Sequence, residues 1–263
     1  MEHGKSNSTR SEDRKDKSNL TANEIYSSIE VPEMPLFVRL DGWAFHSLTR
    51  NLRVKKPFDK FFAKCLVKTA SEFFLPFNPS LAYVFSDEIS LLFLKNTTFK
   101  RVEKIDSVFA GFAASIFLRQ VNKRYKVERL SFDCRCIPIQ KRLISKYLIW
   151  RQAEAFRNHN NLYAQYVLMK EGLTSQAASK KLKGLKLDQI RKLLLNKNID
   201  SYKTPAWQRR GILLYKEIYS KKGYNPVKKR HLVVKRQRVK NDWNMPLFNS
   251  KEGKDFLNNL LKQ

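Results

Sequence analysis

Cysteine is scarce in this chain of 263 residues, where only Cys65, Cys134 and Cys136 occur. An odd count of three gives no disulfide framework and fits a reducing compartment, so a cytoplasmic setting is expected. A zinc site is excluded as well. Tetrahedral zinc needs about four ligands, and His3, His46, His159 and His231 form no paired spacing with the cysteines. Cys134 and Cys136 are expected instead to share one half-buried strand face. Long apolar runs are missing too: no stretch approaches the roughly 20 residues of a membrane span, and the first residues contain no apolar signal core. Acids are in short supply, with 24 Asp and Glu against 52 Lys and Arg, a formal charge of +28 and a sequence pI near 10.1. A field of that sign favours polyanionic partners, nucleic acid foremost. The composition of a source genome can raise lysine content without function, but here the charge is uneven. Residues 221–240 hold nine Lys or Arg and no acid.

What is present suffices for a packed core, since 42% of the residues are hydrophobic. Residues 1–24 are the exception, with Leu20 as their one branched aliphatic residue among five bases and five acids. Such a segment cannot bury enough surface to offset its ordering entropy, and a disordered tail is expected. From residue 35, PLFVRLDG alternates, placing Leu36, Val38 and Leu40 on one strand face and Phe37, Arg39 and Asp41 on the other. Pro57 then opens a stretch in which Phe58, Phe61, Phe62, Cys65, Leu66, Ala70, Phe73 and Phe74 recur at helical steps. LAYVF and ISLLFL follow as two strands joined tightly through Ser86, Asp87 and Glu88. A second amphipathic helix carries Ile105, Val108, Phe109, Phe112, Ala113, Ile116 and Phe117, and LSFDCRCIPI reads as a fourth strand.

The order strand, helix, strand, strand, helix, strand is that of the split βαβ, ferredoxin-like arrangement, an α+β fold with an antiparallel sheet. In it the first and third strands are central neighbours, and the first strand's end lies beside the hairpin that joins the second and third. Three regions are therefore expected: a tail over 1–24, a palm-like domain over 25–140, and a helical, basic region over 141–263. The last has stops at Gly172 and Gly184, a cap at Thr174, and a basic hairpin or arm over residues 211–239, where GILLYKEIY and HLVVKRQRV flank a Gly-Tyr-Asn-Pro break.

That topology brings Asp41 and Asp87 together at one sheet edge, and it offers an account of two acids set within the apolar run LAYVFSDEISLLFL. Carboxylates from separate strands can hold two divalent ions about 4 Å apart, which clamp the attacking and leaving oxygens of a phosphoryl transfer. Magnesium fits, since it takes oxygen ligands and keeps water and substrate phosphates in its shell. The carbonyl at Gly42, with no Cβ in the way, could add a ligand. Equally, Asp87 and Glu88 could be plain turn residues, for which acids are ordinary choices. Arg101, Lys104 and Ser107 lie in the first turns of the second helix, where they could grip a triphosphate with help from helix-terminal amides.

FVRLDGWAFH (37–46), KPFD (56–59), AYVFSDEISLLF (82–93), FKRVEKIDS (99–107), FDCR (132–135), WRQAEAFRNHNNLYAQ (150–165) and TPAWQRRG (204–211) together resemble the tRNA-histidine guanylyltransferase family. The closer likeness is to its guanylyltransferase-like branch of 3′-to-5′ RNA polymerases. Seven ordered segments between about residues 24 and 219 carry the resemblance. It implies a polymerase-like palm that adds nucleotides to the 5′ end of tRNA, with Asp41, Gly42 and Asp87 holding two Mg²⁺ ions and Glu88 beside them in the catalytic set. It implies ATP and GTP or other NTPs as substrates, and a homo-oligomer, a tetramer. The nucleotide pocket would run from Asp41 through Gly42, Trp43, Ala44, Phe45 and His46 to Ser86. Phosphate grips would be Lys56, Asp59, Arg101, Lys104, Ser107 and Arg135, with Asn161 in the downstream motif. Two departures stand out. Asp-Gly-Trp-Ala-Phe replaces the usual Asp-Gly-Arg-Gly-Phe, and Asn158 stands where the guanylyltransferases proper have a histidine, with His159 one place late. The second departure points to the branch suited to template-dependent repair of truncated tRNA 5′ ends.

Two other functions fit a palm with this charge. A nucleotide cyclase would use the same metal pair without nucleic acid, though the acid-free segment 221–240 speaks against it. A non-catalytic tRNA-binding protein would keep the fold and turn over no NTP.

Overall fold

The computed structural model describes residues 23–95, 97–225 and 230–262. The expected tail lies outside the described residues up to position 22. The palm-like part comprises β1 (Leu36–Trp43), the short α1 (Phe45–Asn51), α2 (Lys60–Glu72), β2 (Leu81–Phe85), β3 (Glu88–Phe93), α3 (Val102–Val121) and β4 (Ser131–Pro138). Then come the long α4 (Ile144–Lys170), α5 (Ser175–Leu182), α6 (Leu187–Leu195), α7 (Ala206–Arg210), β5 (Ile212–Asn225), β6 (Arg230–Asp242) and α8 (Lys251–Leu261). The strands form one sheet in the order β4-β1-β3-β2-β5-β6, with antiparallel neighbours throughout. Its first four strands have the split βαβ order, and β1 and β3 are neighbours as the sequence implies.

Alternation in β1 sorts its side chains into two cores. Leu36, Val38 and Leu40 join Phe73, Phe109 and Phe117 beneath α2 and α3, whereas Phe37 joins Leu148, Phe248 and Leu257 beneath α4 and α8. The two central strands β2 and β3 are buried along their whole length. That is why LAYVF and ISLLFL read as continuous apolar runs, for both of their faces are covered. The aromatic helix α2 is core rather than contact surface, with Phe62, Cys65, Leu66 and Ala70 all buried.

Three expectations change. The helix attributed to Pro57 begins at Lys60, because the Asp59 carboxylate accepts the Phe62 N–H at 2.9 Å and so caps an otherwise unpaired amide. Phe58 is left outside that helix and packs between His159, Tyr163 and Trp207. The boundary drawn at 140 is also crossed, since β5 pairs with β2 from Val84↔Ile212 to Leu81↔Tyr215 and extends the palm's own sheet. Within 141–263, a smaller core under the end of α4 unites Ala164, Leu168, Ala178, Ile190 and Leu194. Its helices stop where Gly172 and Gly184 take positive φ, and Thr174 Oγ1 accepts from Ala177 N at 3.2 Å as the cap of α5.

The return to the sheet turns on Gly211, with φ 77° and ψ −166°, a region only glycine occupies without strain. A Cβ there would lie 2.8 Å from the Tyr83 ring and from the Val84 carbonyl oxygen. Tyr83 in turn donates its hydroxyl to the Arg210 carbonyl at 2.7 Å. Gly211→Ala is therefore expected to cost about 2–3 kcal/mol from backbone strain plus overpacking. A thermal melt should read this as a loss of roughly 5–10 °C.

Candidate active site

The end of β1 and the turn between β2 and β3 meet at one corner of the sheet. Asp41 lies directly across from Glu88 on β3 and from Asp133 on β4, so the three carboxylates share the face that looks towards α4. Gly42 N–H donates to the Asp87 carbonyl at 3.2 Å and pins the turn against β1. Ser86 has a positive φ of 51°, the bend that lets two residues reverse the chain. Asp41 is held above the usual carboxylate range by burial, then by the charges of Asp87 and Asp133, with Arg135 and Arg39 pulling it down. Asp87 is also raised, chiefly by burial, against hydrogen bonds from the Ser86 side chain and its own backbone and the charge of His46. Two carboxylates crowded under partial burial, each resisting ionisation, form a corner that a cation would relieve.

Do these residues suit magnesium? Among the described residues no group of three or more His, Cys, Asp or Glu could hold a metal by itself. Asp41, Asp87 and the Gly42 carbonyl form a set of hard oxygen donors, which leaves positions for water and phosphate oxygens, the shell magnesium prefers. The donor chemistry therefore fits. The reason for the glycine differs from the expected one: a Cβ on Gly42 would lie 2.4 Å from the Phe45 ring. Phe45 is buried against Phe62, Phe117 and Phe132, so Gly42 makes room for the core rather than for an ion.

Glu88 has a different task from the catalytic one expected of it. It is 5% exposed, and Arg151 of α4 grips both its oxygens, Nε to Oε1 at 3.1 Å and Nη2 to Oε2, while Ser90 Oγ donates to Oε1 at 2.9 Å. Its oxygens are committed to holding α4 on the sheet. Asp133, not singled out from sequence, is the third acid of the corner, and Arg135 Nη2 donates to its Oδ1 at 2.9 Å. Arg135 thus reaches the corner through Asp133.

Beside Asp87 lies a cavity of about 300 Å³. Phe45, His46, Lys56, Asp59, Ser86 and Asp87 line it, as six of the expected pocket residues, together with Thr49, Val54, Phe58, Leu162 and Trp207. Burial lowers the Lys56 ammonium pKa. Asp59, expected as a phosphate grip, spends its carboxylate on the helix cap already described. Trp43, which the resemblance places in the nucleotide pocket, is 69% exposed and does not line the cavity. The alanine in the family's second glycine position, Ala44, adopts φ 56°, the left-handed conformation that glycine takes at no cost.

Arg101, Lys104 and Ser107 are not brought to this corner. They open α3 at the opposite end of the sheet, near Phe93, which pairs with Leu36 at the start of β1. A strand that leaves the hairpin carries the chain away from it, and the following helix starts where that strand ends. Arg101 pairs with Glu103 at 3.4 Å, Lys104 lies over the Phe99 ring, and the Ser107 hydroxyl donates to the Lys104 carbonyl. Asn161 is half-buried on α4 and donates to the Arg157 carbonyl at 3.1 Å.

His159 is wholly buried, stacked near Phe58 and Phe156, with Nε2 2.9 Å from Thr204 Oγ1. Thr204 gives its hydroxyl proton to the Ser201 carbonyl at 2.8 Å, so it accepts from Nε2–H. The ring is therefore the neutral Nε2–H tautomer and tethers the segment leading to Trp207. Its role is structural, consistent with its place one residue after the family's histidine.

The model of the family described as tRNAHis guanylyltransferase matches residues 20–140. The tRNA(His) guanylyltransferase of Debaryomyces hansenii is 31% identical over 226 residues, covering 80% of this chain and 84% of that protein. This chain belongs to the tRNA(His) guanylyltransferase family. The Saccharomyces cerevisiae enzyme is 27% identical over 199 residues, 70% of this chain and 83% of its own. Among solved structures, a bacterial tRNA(His) guanylyltransferase-like protein in complex with ATP superposes with a TM-score of 0.75 at 26% identity, covering 93% of this chain and 98% of that one. Such coverage means that the guanylyltransferase fold extends beyond the palm into the helices and strands after residue 140.

Two outcomes separate scaffold from chemistry. Arg151→Ala strands a buried carboxylate, and chemical denaturation should show a loss of about 3–5 kcal/mol. His159 is held near pKa 4, below its ordinary 6.5, by burial first and then by Arg209. A depressed pKa contributes stability that is full above about 6.5 and is lost as the pH falls through about 4, on the order of 3 kcal/mol in all. Unfolding free energies measured from pH 7 to pH 4 should fall for the wild type and flatten in His159→Gln.

Proposed function

We propose that this guanylyltransferase-family chain is a metal-dependent nucleotidyltransferase that adds NTPs in the 3′-to-5′ direction to the 5′ end of tRNA. In this reading it repairs truncated ends against the opposite acceptor strand or adds G to tRNA-histidine. The observation that carries it is the meeting of Asp41 and Asp87 at one sheet corner, where both share the cost of burying charge, with Asp87 lining a nucleotide-sized cavity beside it. Asp41, Asp87 and the Gly42 carbonyl would hold two Mg²⁺ ions, which when bound supply charge neutralisation and a lowered hydroxyl pKa. Lys56 brings a cation and His46 a ring nitrogen to the cavity lining, where a triphosphate would be held. Val54, Phe58, Phe62 and Trp207 offer apolar faces to a base and exclude water from it. The 5′-monophosphate of the end to be extended first attacks the α-phosphorus of ATP and releases pyrophosphate, which leaves the end carrying AMP as the activating group. The 3′-hydroxyl of the incoming NTP then attacks the activated 5′ phosphate and expels the activating group. Asp133 and Arg135 hold the far wall of the corner in position.

The basic ribbon of β5 and β6 supports tRNA as the substrate. Lys221, Lys222, Lys235, Arg236 and Arg238 are all exposed on it, and contacts to phosphates give weak sequence preference with steep salt dependence. No helix among the described residues is long and apolar enough to cross a membrane. A homotetramer in the cytoplasm completes the proposal, and light scattering of the purified protein checks the assembly.

Incubation with 5′-truncated tRNA, NTPs and magnesium should lengthen the RNA at its 5′ end. Asp87→Ala should lower the rate at least about 100-fold, the several kcal/mol that metal-held charge contributes. Extension that survives this substitution, or none by the wild type, defeats the assignment.

A further inference from the structure

A second cavity, of about 330 Å³, opens on the far side of a rim formed by His46, Lys56, Pro57 and Leu162, which it shares with the cavity at Asp87. Its own walls are Arg50 of α1 and Tyr166, Met169 and Lys170 from the last turns of α4. Neither Asp41 nor Asp87 reaches it, and no acid lines it. Arg50, Lys56 and Lys170 thus face one space. Among the described residues none of the three takes part in an ion pair. Like charges gathered without a counter-ion repel, and an anion between them removes that cost. The space is also partly apolar. Lys170 Nζ lies 5.7 Å from the centre of the Tyr166 ring, and Met169 beside it is exposed.

An aromatic face flanked by cations suits a nucleotide, whose base stacks while its phosphate is neutralised. Two sources share that chemistry, a free NTP and a nucleotide of the RNA strand. Charge beyond the cavity decides between them, because exposed cations continue outward along α5 and its following turn as Lys180, Lys181, Lys183 and Lys186. A free nucleotide would not need such a track; a polymer does. The shared rim adds the second argument. The two cavities adjoin across His46, Lys56, Pro57 and Leu162, so a strand whose end reacts beside Asp87 can continue into the second.

Resting on the nucleotidyltransferase reading above, we infer that the second cavity binds the RNA nucleotide adjoining the reacting 5′ end, with its phosphate on Arg50 and Lys170 and its base against Tyr166. The first cavity is then left to the incoming NTP. The rim residues divide the two and set their register.

The test uses the full chain as wild type, the double variant Arg50→Ala/Lys170→Ala, and Tyr166→Ala. Binding of 5′-monophosphorylated tRNA is followed by fluorescence anisotropy over a salt series, and the KM for NTP is measured separately. The double variant should bind RNA at least about tenfold more weakly, with a salt slope shallower by about one to two units for two lost phosphate contacts. Tyr166→Ala should weaken RNA binding about tenfold with its salt slope unchanged. The KM for NTP should stay at the wild-type value in both, which also reports an intact fold. RNA affinity equal to the wild type's overturns the inference, as does a rise in the KM for NTP with RNA affinity unchanged, which would give the cavity to free nucleotide. A wild type that binds tRNA but extends nothing defeats the enzymatic reading alone, and the variants' affinities still decide the cavity.

Discussion

The ion pair between Glu88 and Arg151 joins the two halves of the molecule. Glu88 is the first residue of β3, directly after the turn that carries Asp87, and Arg151 lies on the long helix that covers that face of the sheet. A buried carboxylate without a partner would be too costly to keep, so the sheet corner and α4 fix one another. The stack of Arg151 over the Phe85 and Trp150 rings holds the guanidinium in place. Everything at the corner follows. The turn is clamped from below by Arg151 through Glu88 and from the side by the Gly42 amide, and Asp87 is presented at the mouth of the cavity.

Charge is distributed in keeping with this. A chain of +28 gathers three of its few acids, Asp41, Asp87 and Asp133, at one corner and surrounds them with arginines set back on the same face. Such a corner is poor in stability when empty, because two of its carboxyls resist ionisation, and it is attractive to divalent cations for the same reason. In the proposed reading, basic surface elsewhere would draw in the polyanion, so one electrostatic plan would concentrate RNA while the corner would concentrate metal.

Much of the palm could be read from the sequence because each element is periodic. Alternation in PLFVRLDG gave the two faces of β1, and helical spacing gave α2 and α3. The ferredoxin order then places Asp41 beside the hairpin. Other features lay outside that signal. Asp133 joins the corner only through the register of β4 on β1, and sequence does not carry register. The grip of Arg151 on Glu88 spans 63 positions, so Glu88 looked like one more acid of a turn. The phosphate role given to Arg101, Lys104 and Ser107 came from resemblance and closeness along the chain, but a strand's length separates them from the corner. The start of α2 was missed because proline at a first turn and aspartate at a cap compete as signals, and the capping hydrogen bond won. The pairing of β5 with β2 depends on a contact more than a hundred residues away, beyond any local pattern.

Among the described residues β6 is an edge strand with one flank unpaired, and its exposed Val233 and Val234 would invite another strand to zip alongside. Lys235, Arg236 and Arg238 follow them on that flank, and among the described residues Glu217 on the neighbouring strand is the one acid that pairs with cations of β6, Arg238 and Lys240. The positive charge that suits the ribbon to a polyanion therefore also works as a gatekeeper against misassembly. An RNA that neutralised the ribbon would also cover it, so under the proposed function the flank would never be both discharged and bare.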